Sequence, residues 1–75
     1  MQKEDFEVRR YNGIDFEVIS WDSYEGTPWK LWQAAQRAAS DRFAAFEEDT
    51  EGEVVMYQVW LKSSLYDSGD PTASV

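Results

Sequence analysis

The sequence predicts a small α+β domain with the order β-β-α-β, and three observations predict it. Asn12-Gly13 separates two segments of alternating polarity, Phe6 to Arg10 and Ile14 to Trp21, which is the signature of a β-hairpin. Thr27-Pro28 opens a stretch whose apolar residues recur at spacings of three and four, the period of an amphipathic helix. Val54 to about Leu65 alternates again and supplies a third strand. The expected architecture is a three-stranded, mainly antiparallel sheet with one helix on one face and the other face open.

Within the hairpin, paired residues must point to the same side of the sheet. A two-residue Asn12-Gly13 turn would set Val8 against Glu17 and Arg9 against Phe16, which mixes the faces. A three-residue loop, Tyr11-Asn12-Gly13 with Gly13 in the left-handed bulge position, sets Val8 against Phe16 and Phe6 against Val18. That register gives a core face of Phe6, Val8, Ile14, Phe16 and Val18. The outer face is Glu7, Arg9, Asp15 and Glu17, extended by Ile19 and Trp21. Arg9 then opposes Asp15, while Glu7 opposes Glu17 in a like-charge pair that costs roughly 0.2 to 1 kcal/mol.

Asp22 to Gly26 reads as a loop. The Thr27 hydroxyl is placed to cap the helix, and Pro28 occupies the first turn, where its missing N–H is harmless. The helix is expected from Pro28 to Phe46, with Leu31, Trp32, Ala35, Ala38, Ala39, Phe43 and Phe46 toward the core and Lys30, Gln33, Arg37 and Asp41 in water. Residues 47–53 form a turn. In the closing strand Val55, Tyr57, Val59 and Leu61 face the core, leaving Val54, Met56, Gln58, Trp60 and Lys62 on the other side. That strand can pair antiparallel with the first or parallel with the second through a right-handed crossover; the first arrangement, with the opening strand in the middle, is preferred. The domain is expected over 5–65, between an N-terminal tail over 1–4 and a flexible acidic and polar C-terminal tail over 66–75.

Composition narrows the chemistry. The chain has 75 residues, no Cys and no His. Disulfides, thiolate nucleophiles, Cys-based zinc sites, the Ser-His-Asp triad and the usual neutral-pH acid/base group are therefore absent. No long apolar run suits a membrane span, and Met1-Gln2-Lys3-Glu4-Asp5 lacks the pattern of a secretory leader, so a cytoplasmic protein is expected. A chain this short buries only about 60% of its unfolded surface. The aromatic residues, 16% of the sequence, offset this because each ring can bury about 150 to 250 Å². The net charge of −8 repels nucleic acid and anionic membrane and attracts basic protein surfaces. Arg9, Arg10, Arg37 and Arg42 are dispersed among acids, which opposes a basic nucleic-acid patch.

Two constellations are candidates for function. Glu47, Glu48, Asp49, Glu51 and Glu53 place five carboxylates in seven residues, starting where the helix is expected to end, at the pole of its dipole that disfavours anions. Local conflicts of this kind mark functional sites. The run reads either as a phosphate-like surface that docks on Lys and Arg of a partner or as a loop kept solvated by charge. The second constellation is the open sheet face, where Trp21, Met56 and Trp60 would lie near Ile19 among Glu7, Glu17 and Lys62. Exposed aromatics ringed by charge describe interface anchors; the alternatives are a chain end or a second copy covering the face. Trp29 lies one position off the helix stripe and packs under the Asp22 to Gly26 loop or serves a partner, whereas Trp32 and Phe43 are assigned to the core. Asp49-Thr50-Glu51-Gly52-Glu53 lacks the ligand order of a calcium loop, no glycine-rich phosphate loop is present, and no cofactor or metal is expected.

The hairpin, the Ala-rich helix Trp32-Gln33-Ala34-Ala35-Gln36-Arg37-Ala38-Ala39 and the strand Val54 to Leu61 resemble the small ββαβ proteins of phages and mobile elements, anti-CRISPR inhibitors among them. The resemblance covers about residues 5 to 65 and is one of architecture and composition. It implies a single-domain inhibitor that occupies a basic nucleic-acid groove on a host defence complex, sometimes as a DNA mimic. The expectation is a non-enzymatic protein that binds and blocks a basic, nucleic-acid-binding partner, steered by Glu47 to Glu53 and held by Trp21, Met56 and Trp60. The alternative is an assembly module, a homodimer or small subunit joined through the open face.

Overall fold

A computed structural model describes residues 2–67, and the chain is followed here over that range. A short 3-10 turn, Lys3–Asp5, leads into β1 (Phe6–Tyr11) and β2 (Phe16–Ile19). A second 3-10 turn, Trp21–Ser23, precedes α1 (Pro28–Ser40), which is followed by β3 (Phe43–Thr50), β4 (Glu53–Leu61) and a short α2 (Lys62–Asp67). The sheet has four strands in the order β2-β1-β4-β3, and every neighbouring pair is antiparallel. The fold is α+β with one main helix, but the expected three strands become four.

The additional strand comes from the second half of the expected helix. α1 ends at Ser40, where the Asp41 amide still donates to the Arg37 carbonyl but Asp41 itself is extended, with φ −114° and ψ −177°. Beyond it, Ala44, Phe46 and Glu48 alternate inward, a period of two that overlaps the three-and-four spacing of Ala39, Phe43 and Phe46. An eight-residue ladder with β4 satisfies backbone groups that a longer helix would have satisfied internally. The tight turn is Glu51-Gly52, with φ of +54° and +81°, the left-handed pair that a two-residue hairpin requires. At the other end β4 stops at Leu61 instead of Leu65 and gives way to α2. The tail expected over 66–75 has its first two residues at the end of α2 and lies, past Asp67, outside the described residues.

The register of the first hairpin also differs from expectation. Tyr11 pairs with Phe16 and Val8 with Ile19, which leaves a four-residue loop, Asn12 to Asp15. The Asn12 side chain sets that loop: its Oδ1 accepts from the amides of Ile14 at 2.9 Å and Asp15 at 3.0 Å, and the Asn12 amide donates to the Asp15 carbonyl. Gly13, at φ +99°, takes the left-handed position inside it. Relative to the expected register the second strand is displaced by three residues, an odd number, so all its side chains change face. Phe16 and Val18 turn away from the helix, Ile14 is 87% exposed in the loop, and Ile19 points into the core. The like-charge opposition of Glu7 and Glu17 does not arise. Glu17 faces Arg10, while Glu7 accepts a hydrogen bond from Arg9 Nε at 2.6 Å.

The core lies between α1 and the inner face of the sheet: Phe6 and Val8 of β1, Tyr57, Val59 and Leu61 of β4, Ala44 of β3, and Ala34, Ala35 and Ala38 of α1. Three small residues on the buried side of α1 let the helix approach β4 and β3 closely. The buried stripe is rotated from the expected one, with Ala34 inside and Ala39 and Trp32 largely outside. Leu31, Trp21 and Tyr24 close the sides of this layer.

Candidate functional site

The face of the sheet turned away from α1 has no helix over it among the described residues, and the ladder registers place its side chains in rows. One row across the strands is Glu7, Trp60 and Phe43; the next is Val18, Arg9, Gln58 and Ala45. Phe16 sits beside Tyr11, Met56 beside Glu47, and Val54 beside Asp49. Val18 is 61% exposed and Met56 40%, and Tyr11, Phe43 and Val54 are exposed as well. Burying these side chains against a partner is favourable at roughly 25 cal/mol per Å² of apolar surface.

Trp60 is held in a fixed pose within this face. Phe43 stacks on it with ring centroids 4.6 Å apart and planes 19° from parallel. The guanidinium groups of Arg9 and Arg42 lie 4.9 and 5.6 Å from its ring centroid, within cation–π range. Its indole N–H donates to Gln58 Oε1 at 3.0 Å. Near the loop end of the β1–β2 hairpin, Tyr11 and Phe16 pack with ring centroids 5.2 Å apart. An aromatic side chain fixed before binding loses little rotamer freedom on binding, which favours an anchor role. Phe43 joins this site instead of the core because the strand reading of its segment turns it outward.

The five carboxylates of the acidic run do not act as one surface. Glu47 and Asp49 project from β3 onto the open face, Glu51 stands at the β3–β4 turn, and Glu53 pairs with Thr50 on the inner side of the sheet, exposed at its end. Glu48 is the exception. It is 2% exposed, and its carboxylate accepts the Thr27 amide at 2.8 and 2.7 Å and the Tyr24 hydroxyl. Thr27 is the N-cap of α1 and makes no side-chain cap bond, so Glu48 from β3 supplies the anion at the positive end of the helix. The run does not sit at the C-terminal pole of the helix as expected, because α1 ends at Ser40, and its member Glu48 lies at the opposite, favourable pole. Burial pushes the Glu48 carboxyl up, but the hydrogen bonds from Tyr24 and Thr27 and the nearby Lys30 charge outweigh it and hold the group below the usual carboxylate range. Burial and the facing carboxylate push the Tyr24 phenol above its ordinary value.

Of the residues expected to bind a partner, the structure brings Met56, Trp60, Glu47 and Asp49 onto one face with Glu51 at its corner. It removes Glu48, which is a buried helix cap, and Trp21, which lies on the helix side with Phe6, Leu31 and Ala35. Ile19 goes with Trp21. Phe16, Val18 and Tyr11 join the face instead, a placement that only the true hairpin register discloses. No group of three or more carboxylates among the described residues is arranged to hold a metal ion. No helix of the described residues is long and apolar enough to cross a membrane. No protein-family model, curated protein or solved structure matches the chain.

Proposed function

We propose that the protein is a non-enzymatic interaction module whose open sheet face docks on a basic protein surface, of the kind that otherwise engages nucleic acid, and blocks it. The observation that carries this reading is the coincidence, on one uncovered face, of the Phe43–Trp60–Met56–Val54 apolar band with the Glu47 and Asp49 carboxylates. The net charge of −8 steers the encounter, and the desolvated aromatic contacts set residence time. The resemblance to small phage-encoded inhibitors makes a nucleic-acid-binding defence complex the first partner class to test. Capture from a bacterial lysate, eluted in parallel by stepped salt and by duplex DNA, is the experiment. The reading expects a nucleic-acid-binding complex released by both eluents. Glu47→Gln, Asp49→Asn and Glu51→Gln together slow association and flatten its salt dependence, and Trp60→Ala raises Kd about tenfold or more through dissociation. A triple variant that associates at the unaltered rate overturns the electrostatic mechanism.

A second reading is favoured by the layout of charge on the same face. Arg9 and Arg42 lie around Trp60, toward one end of the β3–β4 hairpin, and Glu47 and Asp49 toward the other. Two copies packed face to face with strands reversed would set these opposite charges against each other around an apolar centre. A melting temperature that rises with protein concentration in the absence of any partner supports this homodimer; one that stays constant excludes it.

A further inference from the structure

We propose that the groove between α1 and the free edge of β3 binds an extended acidic peptide segment, which adds to the sheet as a fifth strand. β3 ends the strand order, so the outward N–H and C=O groups of this eight-residue strand have no strand partner among the described residues. Edge strands are normally blunted by Lys, Pro, a bulge or short length. β3 has no Lys and no Pro, it pairs one-to-one with β4 from Phe43 to Thr50 without a bulge, and its charges Glu47, Glu48 and Asp49 are confined to its second half, so the edge from Phe43 to Phe46 carries none of these devices. The opposite edge, β2, is only four residues long.

A groove runs beside this edge, walled by Lys30, Gln33 and Arg37 of α1 and by Ala44, Ala45 and Phe46 of β3. The small side chains of Ala44 and Ala45 leave room for a neighbouring backbone at the ordinary strand spacing of about 4.8 Å. Lys30, Gln33 and Arg37 lie three and four residues apart, on one side of the helix, with exposed side chains. Lys30 acts at longer range on the buried Glu48, but among the described residues neither Lys30 nor Arg37 is within ion-pair distance of a carboxylate, and no carboxylate lines the groove. A protein of net charge −8 therefore presents here a local surface of opposite sign. At about 0.15 M salt the screening length is near 8 Å, so these two cations dominate beside Phe43 to Phe46, while Glu47, Glu48 and Asp49 in the second half of β3 repel an acidic strand and confine it to that first half. Main-chain hydrogen bonds supply affinity in such strand addition, and the flanking side chains choose the sequence, here one bearing Asp or Glu on alternate positions.

The test is fluorescence anisotropy of a labelled octapeptide of alternating Val and Glu, run beside amide NMR shifts of the full chain. The expected result is saturable binding with shifts concentrated at Phe43 to Phe46. Binding should vanish when alternate peptide amides are N-methylated or when Lys replaces Glu. Lys30→Gln with Arg37→Glu should weaken it by roughly 3- to 30-fold, the range for two exposed charge pairs; both side chains are exposed, and circular dichroism checks that the variant folds. The proposal is overturned by absence of saturable binding, by undiminished binding of the N-methylated or Lys peptide, or by sedimentation showing that two copies pair through β3 in place of the peptide.

Discussion

A carboxylate withdrawn from water is costly unless its oxygens are hydrogen-bonded, and the surroundings of Glu48 meet that condition through the Thr27 amide and the Tyr24 hydroxyl. Gly26 makes the approach possible, because a Cβ there would overlap the Glu48 carboxylate and the Tyr24 hydroxyl. Glu48→Ala should cost about 2 to 4 kcal/mol in denaturant unfolding, since it orphans a buried amide and a hydroxyl and removes the helix cap. Gly26→Ala should cost a similar amount, and the double variant much less than the sum, because both act on one contact. The pH dependence has a definite sign. With its folded pKa held below the unfolded one, Glu48 contributes stability above the usual carboxylate range and loses that contribution as pH falls through and below about 4.3. Glu48→Gln should flatten that acid limb. Tyr24 and Tyr57 are both raised, so their contribution is complete below about pH 10 and is lost as pH climbs above it.

At the level of elements, the two hairpins carry opposite lessons. Asn12-Gly13 has the sequence of a two-residue turn, yet the Asn12 side chain binds two backbone amides and opens a four-residue loop. The two-residue turn is formed instead by Glu51-Gly52, where Glu51 accepts a positive φ that Asn tolerates better. Glu51→Asn is therefore expected to stabilise the domain by about 0.5 to 1 kcal/mol, and Gly52→Ala to destabilise it by about 1 kcal/mol or more. Thermal and urea unfolding measure both, and an unstable Glu51→Asn variant would show that the turn is not of this type. The β3 segment was the least legible element. Phe43-Ala44-Ala45-Phe46 fits a helical and a strand period equally over so few residues, and the competition is decided by β4, which offers a ladder from a distant part of the chain.

For the whole molecule, charge and layering act together. One helix covers mainly β4 and β3, so a single inner face carries the core and the outer face keeps its aromatic residues in water. Self-repulsion at net charge −8 opposes the compact state, and salt screens it. Raising salt from about 0.02 to 0.5 M should raise Tm by roughly 4 to 8 °C, the equivalent of about 1 kcal/mol for a domain of this size. A fall in Tm would show that ion pairs such as Arg9–Glu7 outweigh the repulsion.

The sequence alone determined the α+β class, the start of the helix at Thr27-Pro28 and the inward set Tyr57, Val59 and Leu61, whereas the antiparallel pairing of the first and last strands was one of two arrangements it left open. The determined features follow from hydrophobic periodicity and from the pre-set φ of Pro28 in the first helical turn, which act within a few residues. The tertiary structure decided the first hairpin's register, the strand identity of Phe43–Thr50 and the separation of Glu48 and Trp21 from the binding face. Each of those turns on a partner far along the chain or on a side chain competing for backbone amides. A shift of one position in such a contest inverts every face it touches.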